Sequence, residues 1–549
     1  MGSFRKQILL VALGAALLFL PFLGRVHLFD WDEINFAEIS REMIATGDYS
    51  RVQVNYLPFW EKPPLFCWLQ VASMKVFGVN EFAARLPDAI CGIVMMVLVF
   101  MAGSRYFSSR LGLLWALAYV GSLTPHLYFK SGIIDPVFNL FILLGLFHLF
   151  RSSLLAAGRK RSIHFLWAGF LIGLALLTKG PVALLVTGLC GFAFWAVNRF
   201  KPYFNARDLL FFLLAFLSVS SVWLLLEVYN NGTANLSQFF IYQYELLTQG
   251  VAGHGQPFYY HPVVLLLGCF PASIIALKSF RVNGKEEELQ QKVFRTWMLV
   301  LFWVVLILFS VVKTKIVHYS SLCYPSITFL AAYVIERVIT GSLKFNKGLV
   351  AALVFTGLLI ATALTLAGLF PFLKDSLLPY IKDPNAVASI NLPVKWGGYE
   401  WIPGACYLLL IISSSTMIWL HKYRKGFITL LAGSAICIQL FLLMVVPKIE
   451  EYSQGPAIRF YQGLQQQDCY VETIGFKSYA YLFYAGVRPG NRPESKDMQW
   501  LKTGPIDKPA YFVSLGHKAA EVAAIPGIRE IGREGSFVFF KREAVNDNN

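Results

Sequence analysis

Apolar runs close to twenty residues long recur along most of the chain, separated by short polar stretches. A run of ~20 apolar residues is what a helix needs to cross the hydrocarbon core of a bilayer. The runs lack the strict alternation of barrel strands, so a helical bundle is predicted. We count about thirteen by this rule. They lie near 7–24, 88–105, 111–124, 133–150, 164–178, 181–198, 208–228, 262–279, 296–312, 319–338, 348–372, 401–421 and 426–447. The third and fifth are short.

The loops between the runs form two alternating sets. One is short and basic, and includes Arg105 and Arg110, then Arg151, Arg159, Lys160 and Arg161, and later Lys422, Arg424 and Lys425. Basic loops stay cytoplasmic. The other set is therefore outside, as is everything after an odd number of spans. Two outer loops are long, about 25–87 and 229–261, and long ordered loops are usually functional. After residue 447 the apolar runs stop. Cys469–Thr473, Ala510–Val513 and Ser536–Phe540 read as short strands among helical stretches. The expected fold class is an all-α polytopic membrane domain over 1–447 with a small C-terminal α/β domain over 448–549, outside the membrane.

Composition agrees, with 56% hydrophobic and 15% charged residues. The net charge of +16 would suggest nucleic acid in a soluble chain. Here the cytoplasmic loops account for it, and no nucleic-acid partner is expected. Six of the eight cysteines sit in apolar runs, where a thiol acts as a small hydrophobe. Arg5 and Lys6 before Ile8–Leu20 look like a signal peptide without a cleavage site, so the segment reads as a retained first span.

The candidate chemistry gathers on the outer side. Asp30, Asp32 and Glu33 cluster just after the first span, ahead of a helical stretch ending near Gly47. Phe36, Ile39 and Met43 share one face, which predicts a helix lying on the membrane surface. Asp32 as a helix cap is the simpler alternative. Lys62 stands between Trp60 and Pro63–Pro64, where it binds a phosphate or snorkels to the interface. Lys179 and the pair Lys313 and Lys315 sit in short outer turns, against the positive-inside trend. Together with Lys62 they predict an anion site. Asp135 opens the fourth run before Pro136, either as a site carboxylate or as a cap. His254 and His261, with Tyr259 and Tyr260 and a carboxylate such as Glu61, are metal-ligand types, although satisfied loop histidines are the plainer reading.

Carboxylates beside cations suit one reaction class. The carboxylate orients or deprotonates an acceptor. The cations stabilise a departing phosphate. A lipid phosphate leaving group requires no nucleotide cofactor, and no Gly-rich phosphate loop is present.

In these segments the chain resembles the bacterial GT-C glycosyltransferases related to protein O-mannosyltransferases. Within them it is most similar to the lipid A aminoarabinose transferases. The shared stretches are Asp32–Met43 with Gly47 and Asp48, Trp60–Pro63, Asp135–Pro136, Lys179–Gly180, His254–Tyr260, and Lys313–Lys315 leading to Tyr319 and Pro325. The resemblance implies an inverting transfer from undecaprenyl phosphate to an envelope acceptor, lipid A first, in the bacterial inner membrane with the site facing the periplasm. It implies catalytic roles for Asp32 and Asp135 with Glu33 beside them, and carrier-phosphate binding by Lys62, Lys179, Lys313, Lys315 and Tyr319. It also implies a structural divalent metal, zinc, near Glu61 and His254. Asn35 and Gln249 stand where those transferases carry basic residues. Two other readings stay open: a protein O-glycosyltransferase of the same fold, and a transporter or flippase of lipid-linked sugars.

Overall fold

The computed structural model describes residues 2–249, 255–282, 287–490 and 492–545. Among these, nine helices are long and apolar enough to cross a membrane. Tyr260–Gly268 and Ala272–Arg281 form one further path, broken and bent by 109°, where an unbroken run was expected over 262–279. A layer of short elements between the long helices begins after α1 (Gly2–Phe19). It holds α2 (Asp32–Thr46), a small hairpin of β1 (Gln53–Val54) with β2 (Leu57–Pro58), and α3 (Leu65–Phe77). Then come α4 (Glu81–Tyr106), α5 (Ser109–Val120), α6 (Leu123–Tyr128), α7 (Asp135–Ser153), α8 (Arg159–Lys179), α9 (Val182–Val197) and α10 (Ala206–Thr248). The fifth run is not short. Its helix, α8, starts back at Arg159, and the buried Arg161 in this first turn is compensated by Asp208.

Close packing of α8 on α10 depends on Gly169 and Gly173, which lie four residues apart. A Cβ at Gly169 would stand 2.1 Å from the Phe212 carbonyl oxygen, and one at Gly173 would stand 2.8 Å from Val219 Cβ. Small residues at this spacing let membrane helices approach backbone to backbone. Gly169→Ala is expected to force the pair apart at ~1–3 kcal/mol. Its melting temperature in detergent should fall, whereas Gly188→Ala, with nothing within 4 Å of the added carbon, should not change it. The near ends of both helices are pinned by Asp208, which accepts from Arg161 Nε at 2.8 Å and Ser162 Oγ at 2.7 Å. At its far end α10 turns at Gly232 (φ 72°, ψ −171°), a backbone conformation that favours glycine. Beyond this turn the helix returns Tyr242 and Gln243 toward the site.

The segment after residue 455 carries a four-stranded sheet: β3 (Tyr470–Ile474), β4 (Ala510–Leu515), β5 (Ile528–Glu534) and β6 (Phe537–Arg542), in the order β3-β4-β6-β5. β3 and β4 are parallel, and the other pairs are antiparallel. Phe460 stacks on Phe539 at 4.2 Å beneath it. Three strands fall where the sequence predicts them. β5 was not anticipated, because its charged residues and mostly exposed face hide the period of a strand.

The predicted surface helix is instead buried. Ten of the fifteen residues of α2, Glu38 and Glu42 among them, are buried. The reason is the C-terminal segment, which covers the polar face of α2. Arg41 pairs with Glu38 at 2.7 Å and donates to the Val487 carbonyl at 2.7 Å. Tyr56 Oη donates to the same carbonyl at 2.6 Å, and Leu28 N donates to Tyr484 Oη at 2.7 Å.

Glu42 bears the cost of this burial. Desolvation, reinforced by the Glu38 charge, pushes its carboxyl up to about 9. The folded protein therefore keeps Glu42 protonated across the neutral range, where an unfolded chain ionises it. Stability drains away as pH rises from the ordinary carboxylate range toward 9. Glu42→Gln should abolish much of that loss, and thermal melts at pH 6 and pH 9 on both proteins would read it.

Candidate active site

Asp32 is the first residue of α2, and the residue before it, Trp31, has φ 74°. That conformation is uncommon for a bulky residue and tends to be retained at functional sites. Asp32 does not cap the helix. No side chain caps this helix; the Glu33 carboxylate instead accepts from Phe29 N, in the chain ahead of the helix, at 2.8 Å. Asp32 Oδ2 instead lies 3.3 Å from His318 Nε2, and its side chain keeps 43% of its surface exposed.

Glu33 points away from Asp32's open face. Its two oxygens take Arg85 Nε at 3.0 Å and Nη2 at 2.7 Å, together with Gly132 N at 2.6 Å. Arg85 also donates to the carbonyls of Leu23, Val26 and His27. This buried cluster fixes the chain leading from α1 to Asp32.

Asp135 is likewise no cap. It is buried at the first turn of α7 and pairs with Lys179 Nζ at 2.5 Å, from the last residue of α8. Lys179 also lies 5.0 Å from the Tyr319 ring centroid. These three side chains line a cleft of about 190 Å³ with Lys62 and Asn139. Its walls are apolar, with Phe138, Val186 and Leu322 among them. Lys62 sits over the Tyr242 ring at 5.7 Å. Burial pushes its ammonium below the usual lysine range, and Glu61 beside it opposes the shift.

The structure therefore brings Lys62, Asp135, Lys179 and Tyr319 into one cleft, with Asp32 coupled electrostatically to Lys62. The other predicted residues lie apart. Lys315 is buried and donates to the Val312 carbonyl at 2.6 Å, and Lys313 is exposed. Glu61 stays near Lys62, and His254 lies outside the described residues. Among the described residues no three His, Cys, Asp or Glu side chains group as metal ligands. Gln249 contributes its carbonyl, which accepts from Thr314 Oγ1 at 2.7 Å and ties the second outer loop to the Lys313–Lys315 turn. Asn35, one turn after Asp32, buries a carboxamide oxygen with no hydrogen-bond partner.

Four residues of the site escaped sequence reasoning. His318 lies three positions past Lys315, and Arg85 sits in what read as the tail of a loop. Tyr242 was hidden in the second outer loop. Lys477 comes from the C-terminal sheet segment and lies 5.6 Å over the Trp31 ring, beside Asp32. No local signal marks a partner so distant in sequence.

Residues 61–226 match the family model described as dolichyl-phosphate-mannose-protein mannosyltransferase. An uncharacterised protein of Aquifex aeolicus is 27% identical, over 61% of this chain and 74% of its own length. The undecaprenyl phosphate-alpha-4-amino-4-deoxy-L-arabinose arabinosyl transferase of Edwardsiella ictaluri is also 27% identical, over 63% of each chain. The match thus spans less than two thirds of that enzyme. In fold, the chain is similar to ArnT from Cupriavidus metallidurans bound to undecaprenyl phosphate, with a TM-score of 0.78, 18% identity and 97% of both chains covered. An oligosaccharyltransferase of Archaeoglobus fulgidus is more distant, with a TM-score of 0.51, 11% identity, and coverage of 95% of this chain and 72% of that one. The membrane half thus resembles the mannosyltransferase family in sequence over residues 61–226, and the fold is similar to that of ArnT over nearly the whole chain.

Proposed function

We propose that this protein transfers a sugar from undecaprenyl phosphate to an envelope lipid, with lipid A as the first candidate acceptor and aminoarabinose as the first candidate sugar. The observation that carries this reading is the cleft of Lys62, Asp135, Lys179 and Tyr319, a cationic head on apolar walls. An isoprenoid phosphate has that same division. Its phosphate meets Lys62 and Lys179, and its tail lies against the apolar side. Asp135 holds Lys179 in place. Asp32, the one of the three site carboxylates with an open face, takes the acceptor's proton. The acceptor oxygen attacks the anomeric carbon, and the carbon–oxygen bond to the carrier breaks. The electron pair leaves with the phosphate toward the lysines. A single displacement inverts the anomeric centre. Glu33 serves as a positioning residue through Arg85, and Lys477 with Trp31 offers a cation and an aromatic face to an acceptor head group. A divalent metal held by Glu61 and His254 forms no step of this scheme.

The proposed topology has thirteen spans. It takes the bent pair as one and adds α1, α5 and α9 to the nine long helices. The first helix starts in the cytoplasm, and the site opens to the periplasm of a bacterial inner membrane. A periplasmic α/β domain follows residue 447.

Lys62→Ala is expected to weaken carrier binding ~10-fold or more, the worth of one charge-assisted phosphate contact. Equal affinity for undecaprenyl phosphate in both proteins would remove Lys62 from the site. The function itself is tested by mass spectrometry of envelope lipids from cells lacking the gene, carrying it, or carrying Asp32→Asn. One sugar mass should vanish from one lipid in the first and third. No change in any glycolipid overturns the lipid acceptor and moves the search to glycosylated protein. A transporter is disfavoured by placement. Asp135 begins α7 and Lys179 ends α8, at the membrane boundary rather than at the midplane where transporters bind.

A further inference from the structure

The other end of α7 has a second cleft. Asp135 and Arg151 are separated by sixteen residues of one helix, about 24 Å at ~1.5 Å per residue, so the two sites lie on opposite sides of the molecule. This cleft has a volume of about 440 Å³ between α1, α4, α5, α7 and Leu289–Val311. Val99, Leu143, Leu146 and Met298 make its walls, and Phe4 closes one side by stacking on Phe100 at 5.7 Å. Polar groups gather at one end only. Arg105 is in the last turn of α4, Arg151 is in the last turn of α7, and His148 lies between them and His164. Among the described residues neither arginine forms an ion pair, although acids elsewhere on this side are taken up by Arg161 and Arg295. Tyr106, only 7% exposed, lines the same cleft with its hydroxyl beside the Arg151 guanidinium.

An apolar slot between membrane helices, with two uncompensated guanidinium groups and a buried hydroxyl at its mouth, is complementary to one kind of molecule. We propose that this cleft binds an anionic phospholipid of the cytoplasmic leaflet, one acyl chain in the slot and its phosphate on Arg105 and Arg151. Basic pockets between spans on the cytoplasmic side hold anionic head groups by this same charge pairing. Planar guanidinium groups suit a phosphate better than ammonium groups do. Bound there, the lipid joins α4 and α7, and α7 carries Asp135 at its far end. The leaflet assignment rests on the topology proposed above.

The test uses the full chain in nanodiscs of phosphatidylcholine doped with equal phosphatidylglycerol and phosphatidylethanolamine, with retained lipid counted by native mass spectrometry. The native protein should keep one phosphatidylglycerol in preference. Arg105→Gln with Arg151→Gln should lose that preference by about 10–30-fold. Ala102→Trp, which fills the slot and leaves both arginines, should lose it as well. Equal retention of the two lipids by the native protein overturns the site. So does full retention by the double variant, or by Ala102→Trp, which would leave only a surface charge effect. Retention of added undecaprenyl phosphate through Arg105 and Arg151 in place of the phospholipid overturns the choice of ligand. Undecaprenyl phosphate binding at Lys62 is measured on the same samples. Its persistence in the double variant separates failure of this site from failure of the carrier-lipid reading.

Discussion

Asp32→Asn is expected to slow sugar transfer by a factor on the order of 10²–10⁴, the usual worth of a general base, while carrier binding stays intact. The neighbouring carboxylates make the prediction specific. Asp135 is committed to Lys179 at 2.5 Å, and both Glu33 oxygens are committed to Arg85. Among the described residues Asp32 pairs only with His318 and keeps an open face. Glu33→Gln should therefore lower the yield of folded protein and cost turnover per folded molecule far less than Asp32→Asn does. Single-turnover transfer on purified protein, normalised to bound undecaprenyl phosphate, distinguishes the two. Native turnover in a folded Asp32→Asn protein would sink the general-base role. A collapse in folded Glu33→Gln alone would move that role one residue along the helix.

The second large effect concerns folding. Arg85 is 3% exposed and satisfies one carboxylate and three carbonyls. Arg85→Met leaves Glu33 as an unpaired buried charge. Breaking a buried pair this way costs about 3–5 kcal/mol, a large share of the ~5–15 kcal/mol typical of a folded protein. Thermal unfolding in detergent should show a strong loss. Adding Glu33→Gln to Arg85→Met should recover part of it, because the second change removes the stranded charge. If the single variant melts like the native protein, the cluster does not anchor the layer of short elements.

Several features were legible because they are local. The long apolar helices follow from hydropathy, and the end of α2 at Gly47 follows from a glycine in the left-handed conformation. Lys62, Lys179 and Asp135 stood out because charge at a membrane boundary has a cost. Other features were illegible for equally definite reasons. Lys315 reads like Lys179, yet its ammonium is turned to the Val312 carbonyl. Glu33 reads like Asp32, yet adjacent residues on a helix point about 100° apart, and only one faces the opening. The burial of α2 depends on Val487 and Tyr484, more than four hundred residues away.

The sequence by itself determined that the chain is a helical membrane bundle and which segments supply the candidate carboxylates and lysines. These properties rest on composition and period, and each residue contributes to them independently. Tertiary structure alone decided which acid is free. It did so through partners from distant elements: Arg85 for Glu33, Lys179 for Asp135, and His318 for Asp32. A carboxylate's availability depends on what else lies within hydrogen-bond distance, and one-dimensional spacing does not carry that distance.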